Sequence, residues 1–124
     1  MLNQVMLYLG SVFLLFWGIA HLFPTKSIVS GFGDISVDNQ RIITMEWIIE
    51  GIALIFMGTI NAIVTSIDHT SAISLAVYLC SVVVLIVLAV VSFLTGFKIR
   101  FLPFKLCPVI FSASAVLIIL GGLL

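Results

Sequence analysis

The chain has 124 residues, of which 63% are hydrophobic and only 8% charged, with no net charge. A soluble domain carries roughly 25% charged residues, so this composition excludes a surface solvated by water and points to lipid as the solvent. The length allows one domain, and the neutral charge balance gives no reason to expect nucleic acid as a partner.

Four stretches are long and apolar enough to cross a bilayer, near residues 2–23, 44–65, 72–95 and 103–124. Backbone polar groups in lipid must be satisfied within the segment, so each is expected to be helical. The fold class is therefore all-α, a membrane four-helix bundle with four transmembrane helices. The first stretch has no basic residues before it and no A-x-A-like site after it. That pattern predicts a retained helix and not a cleaved signal peptide. It ends at Pro24.

The connections differ. Residues 25–43 form a long polar loop with Gly31 and Gly33 as breakers. Asp38 is the expected N-cap of the second helix, which would then start in water near Asn39. Residues 66–71 form a tight polar turn, and residues 96–102 a short basic loop. All five basic residues lie in or beside the first and third loops: Lys26 and Arg41, then Lys98, Arg100 and Lys105. The positive-inside rule places those loops in the cytoplasm and both termini outside, in a multi-pass cell-membrane protein.

Ionisable groups inside a span are costly and mark candidate sites. His21, Glu46 and Glu50 are expected to meet at the cytoplasmic end of helices 1 and 2. Glu46 and Glu50 share a helix face. Trp17 lies one turn from His21, and Trp47 lies beside the carboxylates. The interior stripe should continue through Phe13 and Gly10 on helix 1 and through Met57 and Asn61 on helix 2. Helix 3 adds Ser74, Tyr78, Ser81 and, with a shift, Ser92. The candidate ligand-binding set is thus His21, Glu46, Glu50, Trp17, Trp47, Asn61 and Tyr78. Two readings stand for it. The groups line a pocket for an apolar small molecule, with His21 and Glu50 handling protons or binding the ligand. Alternatively they bond one another, or pair with Arg41 and Arg100, and lock the helices. The small residues Gly10, Gly18, Gly51, Gly58 and Ala62 read as helix-packing positions.

Other chemistries find little support. Cys80 and Cys107 are the only cysteines and fall at different depths, and no CxxC dithiol occurs. His21 and His69 are expected on opposite sides of the membrane, which disfavours a bis-His haem within one subunit. His21, Glu46 and Glu50 lack a specific metal-ligand spacing such as HExxH, so no metal is expected. No phosphate-binding loop, nucleophile elbow or dinucleotide fingerprint is present.

The segments Gly18-Ile-Ala-His21-Leu-Phe and Glu46-Trp-Ile-Ile-Glu50-Gly51-Ile-Ala-Leu54-Ile-Phe-Met-Gly58 resemble the DoxX-like family of small four-helix membrane proteins. That family shows a Gly-rich end to helix 1 and an acidic residue before a Gly-x-x-Leu-x-x-x-Gly run in helix 2. The likeness covers about half of the chain and departs from the family in two places. The basic residue often found early in helix 1 is absent, and His21 stands where a Lys is common. The resemblance implies a four-helix bundle with Glu46 or Glu50 and Gly51 as the residues carried over. It also implies a role in membrane redox chemistry, since some relatives form the membrane subunit of a thiosulfate:quinone oxidoreductase.

Three functions follow as expectations. One is a redox-linked subunit that binds a quinone or a similar apolar ligand inside the bundle. The second is a binding or transport module for a lipophilic small molecule. The third is a structural subunit of a membrane complex.

Overall fold

In a computed structural model describing residues 1–124, the chain is five helices and no strands. They are α1 (Leu2–Leu22), α2 (Thr25–Ser30), α3 (Val37–Asp68), α4 (Ala72–Gly96) and α5 (Leu102–Leu123). All but α2 are long and apolar enough to span a membrane. Large apolar side chains such as Phe16, Phe56, Ile73 and Leu94 face outward, as contact with lipid requires. The protein is a multi-pass membrane four-helix bundle.

The helix ends correct several expected boundaries. The first loop is not structureless, because residues 25–30 form α2. The Thr25 hydroxyl donates to the Leu22 carbonyl at 2.6 Å and satisfies the end of α1. Helix α3 starts at Val37, earlier than the apolar stretch. Its cap is Ser36 and not Asp38: the Ser36 hydroxyl accepts from the Asn39 amide at 3.1 Å. Asp38 instead sits in the first turn, where its charge complements the helix dipole. At 32 residues the helix is about 48 Å long at 1.5 Å per residue. That exceeds a bilayer core of ~30 Å, so α3 projects beyond it. The expected turn at 66–71 is also shorter, since α3 continues to Asp68. The Asp68 carboxylate accepts from the Thr70 amide and hydroxyl, and Ser71 caps α4 by accepting from the Ser74 amide.

Helix α1 packs against α3 and α5, α4 packs against α5, and α3 and α4 meet more loosely. Glycines set the α1–α3 distance. A methyl group on Gly18 would lie 2.9 Å from the Gly51 carbonyl oxygen, and one on Gly58 would lie 2.7 Å from that of Ser11. No real side chain fits there, so the two backbones are in direct contact, as small residues permit between membrane helices.

The interior is layered. Leu14, Leu54, Leu85 and Phe111, one from each long helix, are at most 1% exposed. Deeper by a further turn or two lies a ring of small polar residues, Ser11, Asn61, Ser81 and Ser114, all buried. Asn61 donates to the Met57 carbonyl at 2.8 Å and to the Ser81 hydroxyl at 2.7 Å. Beyond them Thr65 and Tyr78 share a 2.8 Å hydrogen bond. The polar contacts between α3 and α4 are thus confined to the end nearest their connecting turn.

Candidate functional site

On the other side of the leucine layer, toward the first and third loops, lies a cavity of about 410 Å³. This volume falls within the ~300–1,000 Å³ typical of small-molecule sites. Helix α1 contributes Trp17, Ala20 and His21, the α1–α2 junction Pro24, and α3 Trp47 and Glu50. The α4 wall is Leu88, Val91, Ser92, Thr95 and Gly96, spaced along one helical face. The third loop and α5 add Phe101, Pro103, Phe104, Cys107 and Phe111.

His21 is the organising residue. Its side chain is 6% exposed, and its Nε2 lies 3.5 Å from a Glu50 carboxylate oxygen. That approach is long for a hydrogen bond, and Nε2 is buried without a hydrogen-bond partner. The indole of Trp47 stacks on the imidazole at 3.9 Å between centroids and 15° between planes. The same indole donates from Nε1 to the His21 carbonyl at 2.7 Å. Phe104 meets Trp47 edge-on at 5.7 Å. Pro108 has no N–H to return to the Phe104 carbonyl, which loosens the first turns of α5 beside this contact.

Two cavity residues carry buried nitrogens without a hydrogen bond: Trp17 Nε1, beside the Cys107 thiol, and His21 Nε2, beside Glu50. Buried polar groups are normally paired, and an orphaned indole N–H can be satisfied only by an acceptor. Glu50 is the one residue with a formal charge in the lining, and no Lys or Arg is present there. Its side chain is 43% exposed, so it stands at the rim while His21 is inside.

Of the seven candidate residues, the structure brings four together: Trp17, His21, Trp47 and Glu50. Glu46 is not among them. It is exposed on α3 and faces a shallow outer groove with Ile42, Ile43 and Ile49. Trp47 and Glu50 line that groove as well, so Glu46 and Glu50 share the outer groove and only Glu50 also lines the cavity. Asn61 and Tyr78 are buried as expected, but in the opposite half of the bundle, where they bind α3 to α4. Phe13, expected inside, is 37% exposed, whereas Gly10 packs against Ile118. Neither arginine pairs with a carboxylate of the site. Arg41 sits 3.7 Å from Asp38, an exposed neighbour on its own helix, and Arg100 makes no ion pair. The α5 side of the cavity had no counterpart among the candidates. Its signal was the segment Phe101-Leu-Pro103-Phe104, which looks in sequence like an ordinary aromatic start to a span.

Comparison with protein-family models, with curated proteins and with solved structures finds no match.

Proposed function

We propose that this protein binds a quinone, or a similar apolar molecule with carbonyl groups, in the cavity between α1, α3, α4 and α5, as a redox-linked membrane subunit. The observation that carries the reading is the pair of nitrogens without a hydrogen bond, Trp17 Nε1 and His21 Nε2, in a chamber lined mostly by aromatic and aliphatic side chains. A quinone offers a flat apolar ring with carbonyl acceptors. Trp17 would donate to one carbonyl, and His21 would donate from Nε2 in the tautomer that leaves Nδ1 bare. Reduction of a quinone takes up protons, and Glu50, half-exposed at the rim and 3.5 Å from His21, would resupply them. The electrons would come from a partner protein in the membrane. The DoxX-like resemblance of helices 1 and 2 supports the same reading. The basic loops at this end of the bundle support a cavity that opens toward the cytoplasm; a reporter fused to the C-terminus, silent inside the cell, would agree.

A second reading has its own observation. A lone carboxylate at the rim of an aromatic chamber with no competing basic residue also suits a lipophilic cation, held by charge and by the ring faces. Titration of the purified protein separates the two. Both tryptophans line the cavity and are the only two in the chain, so their fluorescence reports occupancy directly. Saturable quenching by a quinone, lost in His21→Ala, supports the first reading. Saturation only by a lipophilic ammonium, lost in Glu50→Gln, replaces it with the second.

A further inference from the structure

Resting on the quinone reading, we infer that the ligand is a long-tailed amphiphile whose head alone is enclosed and whose tail leaves into the bilayer between α3 and α4.

The α3–α4 seam is closed at one end only. Every hydrogen bond between the two helices lies near their connecting turn: Ser74 to the Val64 and Asp68 carbonyls, Tyr78 with Thr65, and Asn61 to Ser81. The burial of α4 follows the same division. Ser74, Tyr78, Ser81, Val82 and Leu85 are buried, and then no residue is buried until Gly96. Over that interval α4 turns one face to the cavity while Val91 and Thr95, on that face, are themselves exposed. A helix face that both lines a cavity and stands open is the edge of an opening. The opening lies at the height of a membrane-spanning helix, so what lies outside it is lipid.

Volume makes the opening functional. A chamber of about 410 Å³ is near the low end of small-molecule sites. It takes a quinone ring and the first part of a tail, and a polyisoprenoid chain cannot fit behind it because the leucine layer closes the floor. The rest of the tail gains nothing by burial in protein and loses nothing in lipid, since lipid chains are as apolar as the core. The head has a fixed address at His21 and Trp17, and the tail has an apolar exit past Val91.

The test is a series of benzoquinones with isoprenoid tails of increasing length, titrated into proteoliposomes. Affinity is expressed against the quinone concentration in the bilayer. Affinity is expected to stay level within about twofold along the series, because the added tail moves from lipid to lipid. Binding of the tailless member with steep loss for the long ones overturns the open seam and leaves the quinone reading intact. Val91→Trp narrows the opening and should weaken long-tailed members by about tenfold more than the tailless one; an equal effect on both also overturns it. A ligand-independent measurement decides the seam even if no quinone binds, the outcome that defeats the functional reading. A phospholipid with a diazirine in its acyl chain should label both Cys80, which faces lipid, and Cys107, which lines the cavity. Label on Cys80 alone means that acyl chains do not reach the chamber and the seam is shut.

Discussion

Trp47 holds His21 twice, stacking on its imidazole at 3.9 Å while donating a 2.7 Å hydrogen bond to its main-chain carbonyl. The carbonyl accepts at the last turn of α1, where backbone acceptors run out of helical partners. One side chain of α3 thereby fixes both the end of α1 and the orientation of the ring that faces the cavity. The Trp47→Phe variant retains an aromatic ring and removes the N–H. Loss of such a bond costs about 1 kcal/mol, and a less constrained His21 should weaken quinone binding about fivefold. Fluorescence of the remaining Trp17 measures the affinity.

The two glutamates of α3 should behave differently. Glu50→Gln keeps the shape of the rim and removes its charge 3.5 Å from His21. Glu46 is exposed on the outer groove and does not line the cavity. Ligand affinity or turnover should fall about tenfold for Glu50→Gln and stay unchanged for Glu46→Gln. Equal effects would place the chemistry on the outer face of α3.

Contact between α1 and α3 predicts a glycine pattern. Ala at Gly18 or Gly58 would force the backbones apart and should destabilise the protein by ~1–3 kcal/mol. Gly96→Ala is the control, since its new methyl meets nothing closer than 3.6 Å and the helix gains propensity. Thermal unfolding in mild detergent separates the variants.

The polar ring at the bundle centre predicts an asymmetry between two of its members. The Ser114 hydroxyl is fully buried with no partner, so Ser114→Ala removes an unpaired group and should be neutral or stabilising. Asn61 links two helices, and Asn61→Ala strands the Ser81 hydroxyl; a loss of about 1 kcal/mol is expected. The same unfolding measurement compares them.

The spans were legible because lipid imposes one requirement on the whole segment: about 20 apolar residues with internal hydrogen bonds. His21, Glu50, Trp17 and Trp47 were legible because helical spacing and a costly ionisable group point the same way. Glu46 shows where spacing stops. Rotation of α3 about its axis is set by Gly51 and Gly58 pressing against α1 at Gly18 and Ser11, a contact between helices distant in sequence. That rotation brings Glu50 to 3.5 Å from His21 and leaves Glu46 on the outer groove. Asn61 and Tyr78 were expected to be inward and are, but half a bundle from the cavity, because the short α3–α4 turn pairs them with Ser81 and Thr65. The cap at Ser36 was hidden by Asp38, an equally good capping residue type two positions later. The α5 wall was hidden because Phe101 and Phe104 are as ordinary in a lipid-facing span as in a binding site.

The most direct test of the central claim is photolabelling of the purified protein with an azidoquinone, mapped by peptide mass spectrometry. Adducts should fall on Trp17, Trp47 and Phe104, and excess unmodified quinone should compete them away. Adducts confined to outward residues such as Phe16 and Phe56, and insensitive to competition, would contradict a quinone site in the cavity.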